Sequence, residues 1–153
     1  MTESAAASIW FKPYTLAELN ALNDGTLAAQ LGMEMTEIGK DYLAGTMPVD
    51  RRTAQPYGLL HGGASIALAE TLGSLAAAMT VDSTNTLVVG QEINANHIRG
   101  VREGRVTGTA RPVHLGGRSQ VWSIDVVDPA GRLVCVSRLT LVVLDKRAQR
   151  PAP

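Results

Sequence analysis

The chain has 153 residues, 45% of them hydrophobic and 18% charged, which suits one globular domain with a proper core. Fourteen basic against fourteen acidic side chains give a net charge of +0, so no overall field draws the chain to nucleic acid or an anionic membrane. The single cysteine, Cys135, lies in the apolar run LVCVS, which excludes an internal disulfide framework and fits a reducing compartment.

The opening MTESAAAS is too short and too polar for a signal peptide, so a cytoplasmic location is expected. Residues 1–9 and 145–153, small, charged or proline-rich, read as flexible ends of one domain spanning 1–153. Thr15 followed by Glu18 forms a capping box ahead of LAELNALND. Gly25 stops that short helix, and 26–31 can add a turn before Gly32. MEMTEIG and YLAGTMPV, separated by a glycine-containing turn, predict a hairpin with Leu43, Gly45, Met47 and Val49 on one side.

Residues 62–81 are Ala, Leu, Ile, Met, Gly and Ser almost throughout, apolar on every side. At ~1.5 Å per residue they predict a helix of roughly 30 Å. Its Gly and Ser content, its internal Glu70 and the lack of a flanking basic cluster argue for a buried central helix and against a membrane span. The remaining runs, TLVVGQEINANHIRG, GRVTGTARPVHLG, RSQVWSIDVVD and RLVCVSRLTLVVLD, read as strands joined by short turns. They predict an antiparallel meander, and five or six strands with one buried helix imply a sheet curled around that helix.

Glu70 is the anomaly. A carboxylate in an apolar helix is desolvated, which raises its pKa and disfavours its charge. Nine residues upstream, His61-Gly62-Gly63 opens the same helix. Its side-chain-free first turn lets a ligand oxygen approach unpaired N–H groups at the positive end of the helix dipole. Gln55 and His61 flank the loop QPYGLLH with amide and imidazole groups. Eight residues place Gly62 and Glu70 ~12 Å apart along the axis, too far to act on one carbonyl carbon. If both act on one substrate, Glu70 comes from a second copy of the chain, and the site needs a homodimer.

The stretch RRTAQPYGLLHGGASIALAETLGS, with GQEINANHIRG and PVHLGGRSQVW, resembles the hotdog-fold acyl-CoA thioesterases. It is most similar to the bacterial 1,4-dihydroxy-2-naphthoyl-CoA and Arthrobacter-type 4-hydroxybenzoyl-CoA thioesterases. The resemblance implies an α+β hotdog fold, a long central helix wrapped by a five- to six-stranded antiparallel sheet. It also implies two chains joined into one continuous sheet, and usually a homotetramer. Glu70 is then the nucleophile or general base, the Gly62 N–H with His61 polarises the thioester carbonyl, Gln55 positions the reacting group, and Ser74 holds water or the acyl portion. Gly90, His97-Ile98-Arg99-Gly100 and His114-Leu115-Gly116-Gly117-Arg118-Ser119 fall on segments that bind CoA, where arginines and glycine N–H groups suit phosphates. At the second glycine of the Gly116-Gly117 pair, relatives often carry a serine, which bears on one phosphate or ribose contact. No cofactor is implied, and no metal site, since two strand histidines are too few ligands.

Three other readings have discriminating signs. HGGAS has the look of a lipase oxyanion loop, but GASIA is not G-x-S-x-G. A hotdog dehydratase would produce a new enoyl absorbance, where hydrolysis releases free thiol. A non-catalytic acyl-CoA-binding protein would bind without turnover.

Overall fold

The computed structural model describes residues 7–149. Residues 1–6 and 150–153 of the expected flexible ends lie outside the described residues. The capping box forms as read: the Thr15 side chain accepts from the Glu18 N–H, and the Glu18 carboxylate accepts from the Thr15 N–H, which starts α1 (Leu16–Ala21). A second turn, α2 (Leu27–Gln30), follows, and Gly25 and Gly32 bracket it with left-handed φ values of 72° and 68°.

The hairpin is β1 (Glu34–Ile38) and β2 (Leu43–Pro48), with Leu43, Gly45, Met47 and Val49 all buried as the alternation requires. The central helix, α3, runs Gly62–Met79. Four long strands follow: β3 (Thr86–His97), β4 (Arg105–Leu115), β5 (Ser119–Val127) and β6 (Leu133–Asp145), closed by a 3₁₀ turn at Lys146–Gln149.

All six strands form one antiparallel sheet in the order β1-β2-β4-β5-β6-β3. This corrects the simple meander. Of the four long strands only β4, β5 and β6 follow one another in space; β4 also pairs with β2, and β3 returns to the far edge beside β6. The helix between β2 and β3 carries the chain from one side of the sheet to the other, which a two-residue turn cannot do. β3 therefore has one side paired and one side open.

The sheet curls around α3, which buries Ala64, Leu68, Leu72, Ala76 and Ala77 against Val106, Ala110, Trp122, Ile124, Leu139 and Leu141. Close approach depends on missing side chains. A Cβ on Gly108 would stand 2.5 Å from a Leu72 methyl, and one on Gly73 2.6 Å from a Leu139 methyl. By length and composition α3 could cross a membrane, yet half of it is buried within the fold, as a core helix is. At the opposite end from Gly62, Trp10 stacks on the fully buried Trp122 with ring centroids 6.4 Å apart, and Ile9 donates its N–H to the Lys40 carbonyl.

Candidate active site

The start of α3 is built by its N-cap. His61 has extended backbone (φ −69°, ψ 132°), and its Nδ1 accepts the Gly63 N–H at 2.8 Å. An accepting Nδ1 leaves the ring proton on Nε2. His61 thus removes one first-turn donor from the supply and presents another. The Gly62 N–H meets no acceptor among the described residues and stays free for a ligand. Gly62 is glycine because His97 covers it: a Cβ there would lie 2.7 Å from His97 Nε2.

Gly62, Gln55, His97, Ile98, Arg99 and Gly100 line one cavity of about 320 Å³ together with Leu59, Leu60, Ser65 and Val134. Six of the residues singled out from sequence therefore meet at the helix start. Leu59, Leu60, Ser65 and Val134 were not among them; Ser65, three residues after Gly62 in HGGAS, shares its helix face and could have been found by that spacing. Gln55 is held by its own turn, its Oε1 accepting the Tyr57 N–H at 3.1 Å and its carbonyl the Gly58 N–H at 2.9 Å. The opposite wall is tied to this loop by the Leu60 N–H to the Val101 carbonyl at 2.7 Å and by the Arg102 guanidinium to the Tyr57 carbonyl at 3.2 Å. His61 itself lines a neighbouring cavity of about 300 Å³ with Leu27, Leu31, Arg52, Thr53 and Ala67.

Glu70 sits elsewhere. Two turns further along α3, it is half-buried, and Ser74 Oγ, one turn on, donates to its Oε1 at 3.5 Å. Burial pushes the carboxyl pKa up, and the Ser74 hydroxyl only partly offsets this. The carboxylate lies against Gly90 of β3. Neither Glu70 nor Ser74 lines the cavity at Gly62, as the axial spacing requires.

The third group, His114–Ser119, forms the β4–β5 hairpin. Ser119 pairs with Val142 and, through it, lies level with Val89 beside Gly90, whereas His97 pairs with Cys135 at the other end of the sheet. Within one chain the hairpin is thus at the Glu70 end and remote from the cavity. Arg99 and Arg118 form no ion pair among the described residues. No group of three or more His, Cys, Asp or Glu side chains among the described residues could hold a metal ion.

Comparison with known proteins shows the family. The model of the thioesterase superfamily matches residues 57–135. The chain is 52% identical to the 1,4-dihydroxy-2-naphthoyl-CoA hydrolase of Escherichia coli over 89% of its own length and 99% of the relative's. It is 53% identical to the proofreading thioesterase EntH of Cronobacter turicensis, over 89% and 98% of the two chains. The crystal structure of a thioesterase from Haemophilus influenzae superposes with a TM-score of 0.87 at 50% identity, covering 90% of this chain and 95% of that one. The chain is a hotdog-fold thioester hydrolase and belongs to the thioesterase superfamily.

Proposed function

We propose that the chain hydrolyses an aryl-CoA thioester to the free acid and CoA, in a site shared by two protomers. One observation carries this reading: the ionisable group of α3, Glu70, and the polarising group, Gly62 N–H, occupy separate places in one chain. The acid adjoins the open edge of β3, where a second copy would add its own β3 antiparallel and bring its helix start opposite Glu70. An edge strand of twelve residues with an unpaired side is the surface such a dimer needs, and two dimers would make the tetramer.

The chemistry follows from those groups. The thioester carbonyl oxygen accepts from the Gly62 N–H at the positive end of α3, with His61 Nε2–H as a second donor, and Gln55 orients the reacting group. Glu70 of the other protomer either attacks the carbonyl carbon, giving a mixed anhydride that water opens, or takes a proton from the attacking water. In both routes the C–S bond breaks, CoA leaves as thiol and the acyl group gains the oxygen of water. Burial keeps Glu70 poorly solvated, which strengthens it as base or nucleophile once ionised. The CoA nucleotide would follow His97–Gly100 and His114–Ser119, where Arg99 and Arg118, in no ion pair among the described residues, suit phosphate. The names of the E. coli and C. turicensis relatives support a thioesterase, and the first of them supports the aryl acyl group; the cytoplasm as its place of work follows from the reading of the sequence alone.

The test is thiol release from a panel of benzoyl, hydroxybenzoyl, naphthoyl and aliphatic CoA thioesters, compared by kcat/KM. Aryl thioesters are expected to lead. Glu70→Gln should lower turnover by at least about a thousandfold with the fold intact; wild-type turnover in that variant removes Glu70 from the reaction.

A further inference from the structure

We propose that Gly90 is the residue that positions the Glu70 carboxylate, by leaving open on β3 the space a side chain would fill. This rests on Glu70 being the acid of hydrolysis, and it is a role separate from any contact of Gly90 with CoA.

The backbone does not call for glycine at this position. Gly90 pairs with Leu141 of β6 just ahead of a register shift, and its φ lies outside the left-handed region that only Gly25, Gly32, Gly58, Gly104 and Gly131 occupy among the described residues. Core packing does not call for it either. Gly73 and Gly108 face leucine side chains of the core, but the three atoms nearest to a Cβ on Gly90 would all belong to Glu70: Oε1 in collision, Cδ at 3.3 Å and Oε2 at 3.8 Å. What the missing side chain admits is therefore the Glu70 carboxylate.

The neighbourhood makes this consequential. The strand steps out of register between Gly90 and Glu92, a bulge of the kind that re-aims local side chains. Among the described residues the only side chain bonded to the Glu70 carboxylate is Ser74, at 3.5 Å, a length at which a hydroxyl restrains little. Among the described residues no charged side chain forms an ion pair with this carboxylate; burial raises its pKa and the Ser74 hydroxyl lowers it. The walls of the notch, and not an ion pair, fix where the carboxylate points. Because the colliding atom is the tip of a flexible side chain, a methyl group at position 90 would swing Glu70 aside and leave the core untouched.

The experiment is a double-mutant cycle with benzoyl-CoA as the probe. Gly90→Ala should reduce kcat about a hundredfold, the size of effect that a 1 Å misplacement produces. Thermal stability should stay near wild type, the loss should fall on kcat more than on KM, and the acid limb of kcat/KM should move down toward the ordinary carboxylate range as Glu70 is pushed to solvent. Glu70→Asp shortens the side chain by one methylene and withdraws it from the notch, so adding Gly90→Ala to Glu70→Asp should change kcat no further. Wild-type kcat and acid limb in Gly90→Ala, or effects that multiply in the double variant, overturn the proposal. Should Gly90→Ala fail to fold, Glu70→Ala/Gly90→Ala decides: recovered folding supports the collision with Glu70, and continued failure overturns it. An inactive Glu70→Gln beside an unaffected Gly90→Ala would sink this inference alone, whereas an active Glu70→Gln sinks the catalytic reading beneath it.

Discussion

At the scale of residues, the desolvation of Glu70 has two consequences of opposite sign. Its pKa is raised in the folded chain, so a reaction that needs the carboxylate should show kcat/KM climbing with pH through a value above the ordinary glutamate range near ~4.3. Between the unfolded and folded pKa values the folded chain binds more protons than the unfolded one, so stability falls as pH rises across that window. Glu70→Gln removes the titration. Relative to wild type it should gain stability between pH 4 and neutrality, as measured by denaturant unfolding at both; a difference independent of pH would show that burial does not act on this group. His61 offers a second check. With Nδ1 accepting the Gly63 N–H, its ring ¹⁵N resonances should report a protonated Nε2 and a bare Nδ1, and the opposite tautomer would break the cap as described. The oddity of a lone acid in an apolar helix was legible in the sequence. The bond from Gly63 was not, because a His-Gly-Gly opening is equally compatible with both N–H groups facing a ligand.

Elements show which forces are local. The Thr15–Glu18 capping box is written in four consecutive residues and formed as read; Thr15→Ala should destabilise by about 1 kcal/mol, seen as a lowered Tm. The alternation in β5, with Trp122, Ile124 and Val126 buried, and the all-round apolar α3 were also plain from period alone. Strand order was not. β3 and β6 pair residues 86–97 with 135–145, and nothing in the pattern of either run names its partner, because pairing of distant strands is decided by the whole enclosure of the helix. The one sequence trace of that enclosure is the placement of small residues. Gly108 lies under Leu72 and Leu68, so Gly108→Val should force helix and sheet apart and cost on the order of 1–3 kcal/mol or more. A variant as stable as wild type would show that the layers are not in close contact there.

For the whole molecule, the division of the site between the start and the middle of α3 makes complementation the decisive experiment. A chain carrying Glu70→Gln and a chain carrying Gln55→Ala are each expected to be poorly active. In a mixed dimer one site gathers both substitutions and the other gathers none, so random reassortment should recover about a quarter of wild-type activity under two-fold symmetry. No recovery after confirmed exchange would mean that each protomer works alone. The stacked Trp10 and Trp122 bear on how all of this is measured. They are the only two indoles in the chain. Intrinsic fluorescence therefore watches the docking of the amino-terminal segment and the integrity of the hydrophobic interior. Loss of fold is followed by that emission and loss of catalysis by thiol release, two readings of one sample.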